Sequence, residues 1–178
     1  MGELRDGQIA DLAFYMTQPR CMNLSDPGTG KTPSVCAWFQ WLWAEVKIKS
    51  AWAMPLSLLE KNKAEILEFT GFKPEDVVIV AGTATQREKQ FARPGKVFLM
   101  GFDCFSTNWR LLPPDVRALA VDELHMGYGG NYSKRTQNLY EAMATQFTHF
   151  LPMTTLHDSC FFECFWEVDP FGEGVWVV

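Results

Sequence analysis

Read for polarity alone, the chain alternates short apolar runs with longer stretches in which apolar residues recur every three or four positions. Six runs have the length and content of strands: residues 20–25 (RCMNLS), 50–55 (SAWAMP), 76–82 (DVVIVAG), 96–101 (KVFLMG), 117–123 (RALAVDE) and 149–154 (HFLPMT). DVVIVAG is apolar at nearly every position, as a strand covered on both faces should be. Helical spacing predicts helices over 32–47, where Trp38, Trp41 and Leu42 crowd one face, and over 56–71. The latter carries Leu58, Leu59, Ile66, Leu67 and Phe69 and closes at Gly71. A short helix over 83–92 stops ahead of Pro94-Gly95, and another covers 133–147. Strands separated by helices predict an α/β layer sandwich with a mostly parallel sheet. No repeat, low-complexity tract or Pro/Gly/Ser-rich linker interrupts the pattern, so residues 1–178 read as one domain.

Composition narrows the function classes. At 178 residues and 47% hydrophobic, the chain can bury one good core and is short for two. Its net charge of −5 argues against coating nucleic acid by charge alone, though not against a local basic strip. The apolar stretch around Ala37 and Val46 carries Gln40 and Glu45 and is too short for a bilayer. The opening MGELRDGQIADLAF has no apolar core of a secretory signal, and Asp6 stands where a myristoylation signal wants Ser or Thr. An intracellular protein with no membrane contact is expected. Five scattered cysteines (Cys21, Cys36, Cys104, Cys160 and Cys164) make no C-x-x-C pair and read as free thiols.

The chemistry begins at residues 24–34, LSDPGTGKTPS, set between the first strand and the helix after it. Glycines let the backbone curl until successive N–H groups point inward, and a helix amino terminus adds partial positive charge. Pro27, Gly28, Thr29, Gly30, Lys31 and Thr32 would then cradle a nucleotide's phosphates. Lys31 reaches the β- and γ-phosphates and the Thr32 hydroxyl faces Mg²⁺. Ser25 occupies the place of the first glycine in the strict pattern. The complement is an acidic pair closing another strand, and ALAVDELH supplies Asp122 and Glu123. Asp122 would hold Mg²⁺ with Thr32, and Glu123 would act on the attacking water.

GTGKT followed by VDELH resembles motifs I and II of superfamily 2 helicases, whose second motif reads D-E-x-H. The order of the flanking segments resembles the Swi/Snf-like DNA translocases. LRDGQIADLAFYM resembles their opening L-R-x-x-Q, which implies that Gln8 contacts adenine. AWAMPLSLLEKNKAEILEF resembles motif Ia and its helix, with Lys63 or a neighbour where that family has tryptophan. ELHMGYGGNYSKRTQNL resembles the stretch after motif II, and DPFGEGVW one near the end of that family's first domain. Motif III of the family reads L-T-G-T-P; PMTTLHDS has Thr155 in the glycine place and no proline following.

The resemblance implies a RecA-like three-layer sandwich of the P-loop NTPase class, binding ATP and Mg²⁺. Lys31 and Glu123 become the catalytic residues, while His125, Thr154 and Thr155 couple the nucleotide to motif III. DNA, most simply duplex, is the implied partner. Ser57, Lys61, Thr83, Arg87, Lys134 and Arg135 are candidates for phosphate contacts that do not read sequence. A second RecA-like domain, in cis or in trans, is expected to complete the ATP site with an arginine finger. An exposed aromatic tail at Trp176 would fit such a neighbour. Two rival readings share the cradle: a small P-loop kinase, whose arginine-rich lid is not apparent, and a non-catalytic nucleotide-binding or assembly module.

Overall fold

Alternation along each strand decides how the layers form. In the computed structural model, which describes residues 2–25, 28–128, 133–154 and 175–177, strand β2 (Lys49–Met54) turns Ala51 and Ala53 to one face and Trp52 and Met54 to the other. Strand β4 (Val97–Gly101) divides Phe98 and Met100 from Val97 and Leu99, and β5 (Val116–Val121) divides Leu119 and Val121 from Ala118 and Ala120. Both sets are buried, which requires helices over both faces.

Helices α1 (Asp6–Thr17), α2 (Lys31–Trp41) and α3 (Leu59–Phe69) cover the face of Trp52, Leu99 and Ala120. Helices α4 (Ala84–Phe91), α5 (Phe102–Asn108) and α7 (Lys134–Thr145) cover the other, contributing Phe91, Phe105, Leu139 and Ala142. With β3 (Val77–Val80) and β6 (His149–Pro152), five strands run parallel in the order β3-β4-β2-β5-β6. Strand β1 (Cys21–Asn23) touches β6 through bridges at Arg20–Phe150 and Asn23–Met153, and β7 (Val175–Val177) pairs with it in parallel on its far side. The sandwich therefore has three layers, as expected.

All six expected strands are present, and each expected helix has its counterpart. The helix anticipated over 56–71 opens as a 3₁₀ turn at Leu56–Leu58, with Pro55 in extended backbone just before it, and continues as α3 proper. The sequence pattern missed α1, α5, the short α6 (Leu124–Gly127) and β7. The polarity of α1 is partly inverted: Gln8 and Tyr15 face inward while Ile9 and Met16 are exposed. α5 begins immediately after β4, with Gly101 as both last strand residue and N-cap, so no turn separates the two patterns. The tail at Trp176 belongs to β7 and runs in register with Met22. No described helix is long and apolar enough to cross a membrane.

Candidate nucleotide site

Because the strands are parallel, the residues that follow them gather at one edge of the sheet. The glycine-rich loop follows β1, Asp122 and Glu123 follow β5, and Thr154 follows β6. β6 lies between the other two, so its end joins the loop to the acidic pair. Leu124 N donates to Met153 O at 2.9 Å on one side, and Thr154 N donates to Asn23 O at 3.1 Å on the other.

Gly28 and Gly30 both take left-handed backbone, with φ of 80° and 79°, which side chains resist. Gly30 is the N-cap of α2, so Lys31 and Thr32 fill the helix's first turn, whose free N–H groups and dipole suit an anion. Lys31 Nζ donates to Ser25 O at 2.5 Å, across the loop from its own helix. Gln8, on α1, donates from Nε2 to Gly30 O at 2.8 Å and accepts from Arg5 N at 2.9 Å. A β-carbon on Gly30 would lie 2.8 Å from Gln8 Nε2. The expected nucleotide residues Gln8, Gly28, Thr29, Gly30, Lys31 and Thr32 are thus brought together; Pro27 lies outside the described residues.

The acidic pair is set more tightly than its sequence suggests. Asp122 N donates to Ala53 O at 2.9 Å, and Asp122 Oδ1 accepts from Glu123 N at 3.1 Å. Burial, and secondarily the Glu123 charge, pushes the Asp122 carboxyl above the usual aspartate range. The Glu123 N–H, the Lys31 ammonium and the Asn62 side chain partly oppose that rise. Glu123 is one of two described non-glycine residues at positive φ (47°), and such strain persists only where surrounding structure enforces it. His125 Nδ1 lies 3.5 Å from Glu123 Oε2 and 2.9 Å from Thr154 Oγ1, and Thr154 is buried. The expected coupling pair His125 and Thr154 is therefore in contact; Thr155 lies outside the described residues.

Thr32 and Asp122 offer hydroxyl and carboxylate oxygens, the hard donors that Mg²⁺ selects, so the donor set fits that ion. The nucleic-acid candidates lie toward the other end of the same edge. Ser57 sits in the turn after β2, Thr83 caps α4 after β3, and Lys134 and Arg135 open α7. Three of the cations have local partners: Lys61 reaches Glu65 at 3.5 Å, Arg87 donates to Gly82 O at 2.9 Å, and Arg135 Nε donates to Asp103 at 2.7 Å.

Two buried amides close to the loop and the acidic pair escaped the sequence reading. Asn23 ends β1 and Asn62 lies on α3, each almost wholly buried. A signal existed for Asn62, since Leu59, Asn62 and Ile66 share one face of α3 and all three are its buried residues.

No protein-family model matches the sequence, and no curated protein matches it. Solved structures do match. The UvsW helicase from bacteriophage T4 gives a TM-score of 0.76 at 12% identity, over 99% of this chain and 61% of that one. The Pyrococcus furiosus Hef helicase domain gives 0.74 at 17% identity, over 98% of this chain and 38% of that one. A Sulfolobus solfataricus SWI2/SNF2 ATPase core, solved with double-stranded DNA, gives 0.71 at 19%, over 87% and 32%. The chain thus spans between 32% and 61% of the length of these three. At these identities the likeness is one of fold: the chain shares the RecA-like α/β fold of these helicase and ATPase domains, with its own five-stranded parallel sheet between two helical layers.

Proposed function

We propose that the chain is the ATP-binding domain of a DNA-dependent ATPase of the Swi/Snf helicase-like type. The observation that carries this reading is the meeting of three strand ends. A glycine loop with Lys31, an acidic pair and the His125–Thr154 contact all lie at one edge of one sheet.

In this reading Lys31 leaves Ser25 O for the β- and γ-phosphates, and Gln8, already at the loop, meets the adenine. Thr32 and Asp122 would hold Mg²⁺, which when bound would neutralise phosphate charge. Glu123 orients the attacking water in line with the γ-phosphorus and takes its proton, and its enforced backbone keeps that carboxylate in place. His125 then carries the state of that carboxylate to Thr154 and β6. Duplex DNA runs along the edge that carries Ser57, Lys61, Thr83, Arg87, Lys134 and Arg135, met through its phosphates. A DNA-handling role implies an intracellular protein. A second RecA-like domain completes the site, a reading supported by the greater length of the matched chains. Arginine fingers are typically worth about 10³–10⁵ in rate, so turnover by this chain alone should be slow.

The test is Mg²⁺-ATP binding and hydrolysis by the chain, with and without duplex DNA, beside Lys31→Ala and Glu123→Gln. Binding lost in Lys31→Ala but kept in Glu123→Gln, with hydrolysis lost in both, is the expected result. Wild-type protein that binds no nucleotide would sink the reading.

A further inference from the structure

The fully buried side chain of Asn23 stands at the end of β1, between the bridge to β6 and the pairing with β7. An apolar residue would fill such a place at less cost, since a buried amide is tolerated only when its polar groups are paired. Those of Asn23 are engaged on three sides. Its Oδ1 accepts from Ser25 N at 2.9 Å, its Nδ2 donates to the Tyr15 hydroxyl on α1, and its backbone carbonyl accepts from Thr154 N at 3.1 Å. The Ser25 N–H, which can only donate, fixes which way the amide points: turned over, the amide would set NH₂ against it. The Tyr15 hydroxyl and the Asp11 carboxylate, both on α1, meet the other end of the amide.

The backbone of Ser25 is consequently held on both sides of its Cα: Asn23 Oδ1 accepts from its N–H and Lys31 Nζ donates to its carbonyl. Gln8, seven residues before Tyr15 on the buried face of α1, holds the far end of the loop at Gly30 O. One helix thereby fixes the loop at both ends, directly through Gln8 and through Asn23 by way of Tyr15.

We infer that Asn23 is a positioning residue for the glycine-rich loop: held from α1 by Tyr15, it fixes the backbone of Ser25, on whose carbonyl Lys31 docks, and so sets where that lysine begins its reach for phosphate. The inference deepens the nucleotide reading and rests on it for its functional consequence.

The experiment uses the full chain and two readouts, exchange of the Ser25 amide and affinity for a fluorescent ATP analogue with Mg²⁺. Asn23→Leu and Tyr15→Phe are compared with wild type, and Lys31→Ala serves as the binding-defective reference. Both variants should speed exchange at Ser25 while β2 and β5 stay as protected as in wild type. Affinity should fall about ten-fold in Asn23→Leu and about three-fold in Tyr15→Phe, the size expected for lost hydrogen bonds. The double variant should bind no worse than Asn23→Leu, because the hydroxyl acts through the amide. Unchanged Ser25 exchange, or affinity equal to wild type in both variants, overturns the inference. So does faster exchange throughout the sheet, which would make Asn23 a residue of the fold alone. If Asn23→Leu fails to fold, Tyr15→Phe, which removes one oxygen, decides by the same criteria. Wild type that binds no nucleotide ends the nucleotide reading, and Ser25 exchange still judges the positioning by itself.

Discussion

His125 Nδ1 lies 2.9 Å from Thr154 Oγ1, so the residue two positions beyond the acidic pair touches the residue two positions beyond β6. The hydroxyl is buried, and the imidazole also stands 3.5 Å from Glu123 Oε2. Thr154→Val keeps the shape and removes the hydroxyl, at a stability cost of about 1 kcal/mol. Under the proposed function it should leave Mg²⁺-ATP affinity within a few-fold of wild type and reduce the stimulation of hydrolysis by duplex DNA. Titration of nucleotide binding beside DNA-stimulated turnover checks both halves; equal losses in the two would mean that Thr154 shapes the pocket and carries no signal.

The two loop glycines should not behave alike. Each takes left-handed backbone, which costs an alanine about 1–2 kcal/mol. A β-carbon at Gly28 meets nothing within 4 Å, whereas at Gly30 it meets Gln8 Nε2 at 2.8 Å. Gly28→Ala should therefore lose only the backbone term, and Gly30→Ala should also break the Gln8 contact at the loop. Thermal unfolding of both variants, and of each combined with Gln8→Ala, checks this. Removing Gln8 should recover part of the Gly30→Ala loss and none of the Gly28→Ala loss.

How far the sequence revealed this arrangement depended on how polarity relates to burial. The parallel strands showed themselves because helices cover both their faces, leaving Val77–Val80 and Val97–Gly101 with no polar side chain. Lys31, Asp122 and Glu123 stood out because phosphate and metal chemistry favours those residue types after strand ends, and the structure does place them after β1 and β5. Asn23 and Tyr15 were not, since an asparagine beside a glycine-rich loop reads as a turn residue and nothing local tells that a tyrosine eight residues earlier will face it. Likewise α1 hides Gln8 for its contact with the loop while leaving Ile9 in solvent, contrary to an amphipathic pattern.

Asp122 should trade stability for function. Burial foremost, then the charge of Glu123, raises its carboxyl above the usual range, so the folded chain holds the Asp122 proton more tightly than the unfolded chain. Its contribution is therefore most favourable below the ordinary aspartate value. It is lost as pH rises from there to the raised value, and the ionised carboxylate remains a liability above it. In metal-free buffer Asp122→Asn should melt higher than wild type at about pH 7, and the difference should vanish by about pH 3. Under the proposed function Mg²⁺ with ATP should stabilise wild type, and the same variant should lose that gain. A lower melting temperature for Asp122→Asn at neutral pH would contradict the argument.

Trp52 tests the core. It is fully buried in the middle of β2, packs edge-on against Phe39 at 5.5 Å, and its indole N–H has no hydrogen-bond partner. Trp52→Ala should cost about 3–5 kcal/mol, the usual penalty for emptying such a site. Trp52→Phe leaves a smaller void and also removes the unpaired donor, whose burial is itself costly. It should therefore cost well under half as much. Chemical denaturation of the two variants decides, and equal losses would mean that indole volume outweighs its unpaired N–H.

At the opening of α7, Lys134 and Arg135 are adjacent yet differently occupied. Lys134 is exposed, while Arg135 is committed to Asp103 at the start of α5 through Nε and its terminal nitrogen. If duplex phosphates run along this edge, Lys134→Ala should weaken binding to every sequence alike and reduce the slope of log affinity against log salt by about one. Arg135→Ala removes a charge that a carboxylate already neutralises and exposes that carboxylate's own repulsion of phosphate. Asp103→Asn should then tighten DNA binding by releasing Arg135, and in an Arg135→Ala background it should tighten it less. Salt titrations on two unrelated duplexes check the whole set. Sequence-dependent losses in Lys134→Ala, or weaker binding in Asp103→Asn, would remove this edge from the interface.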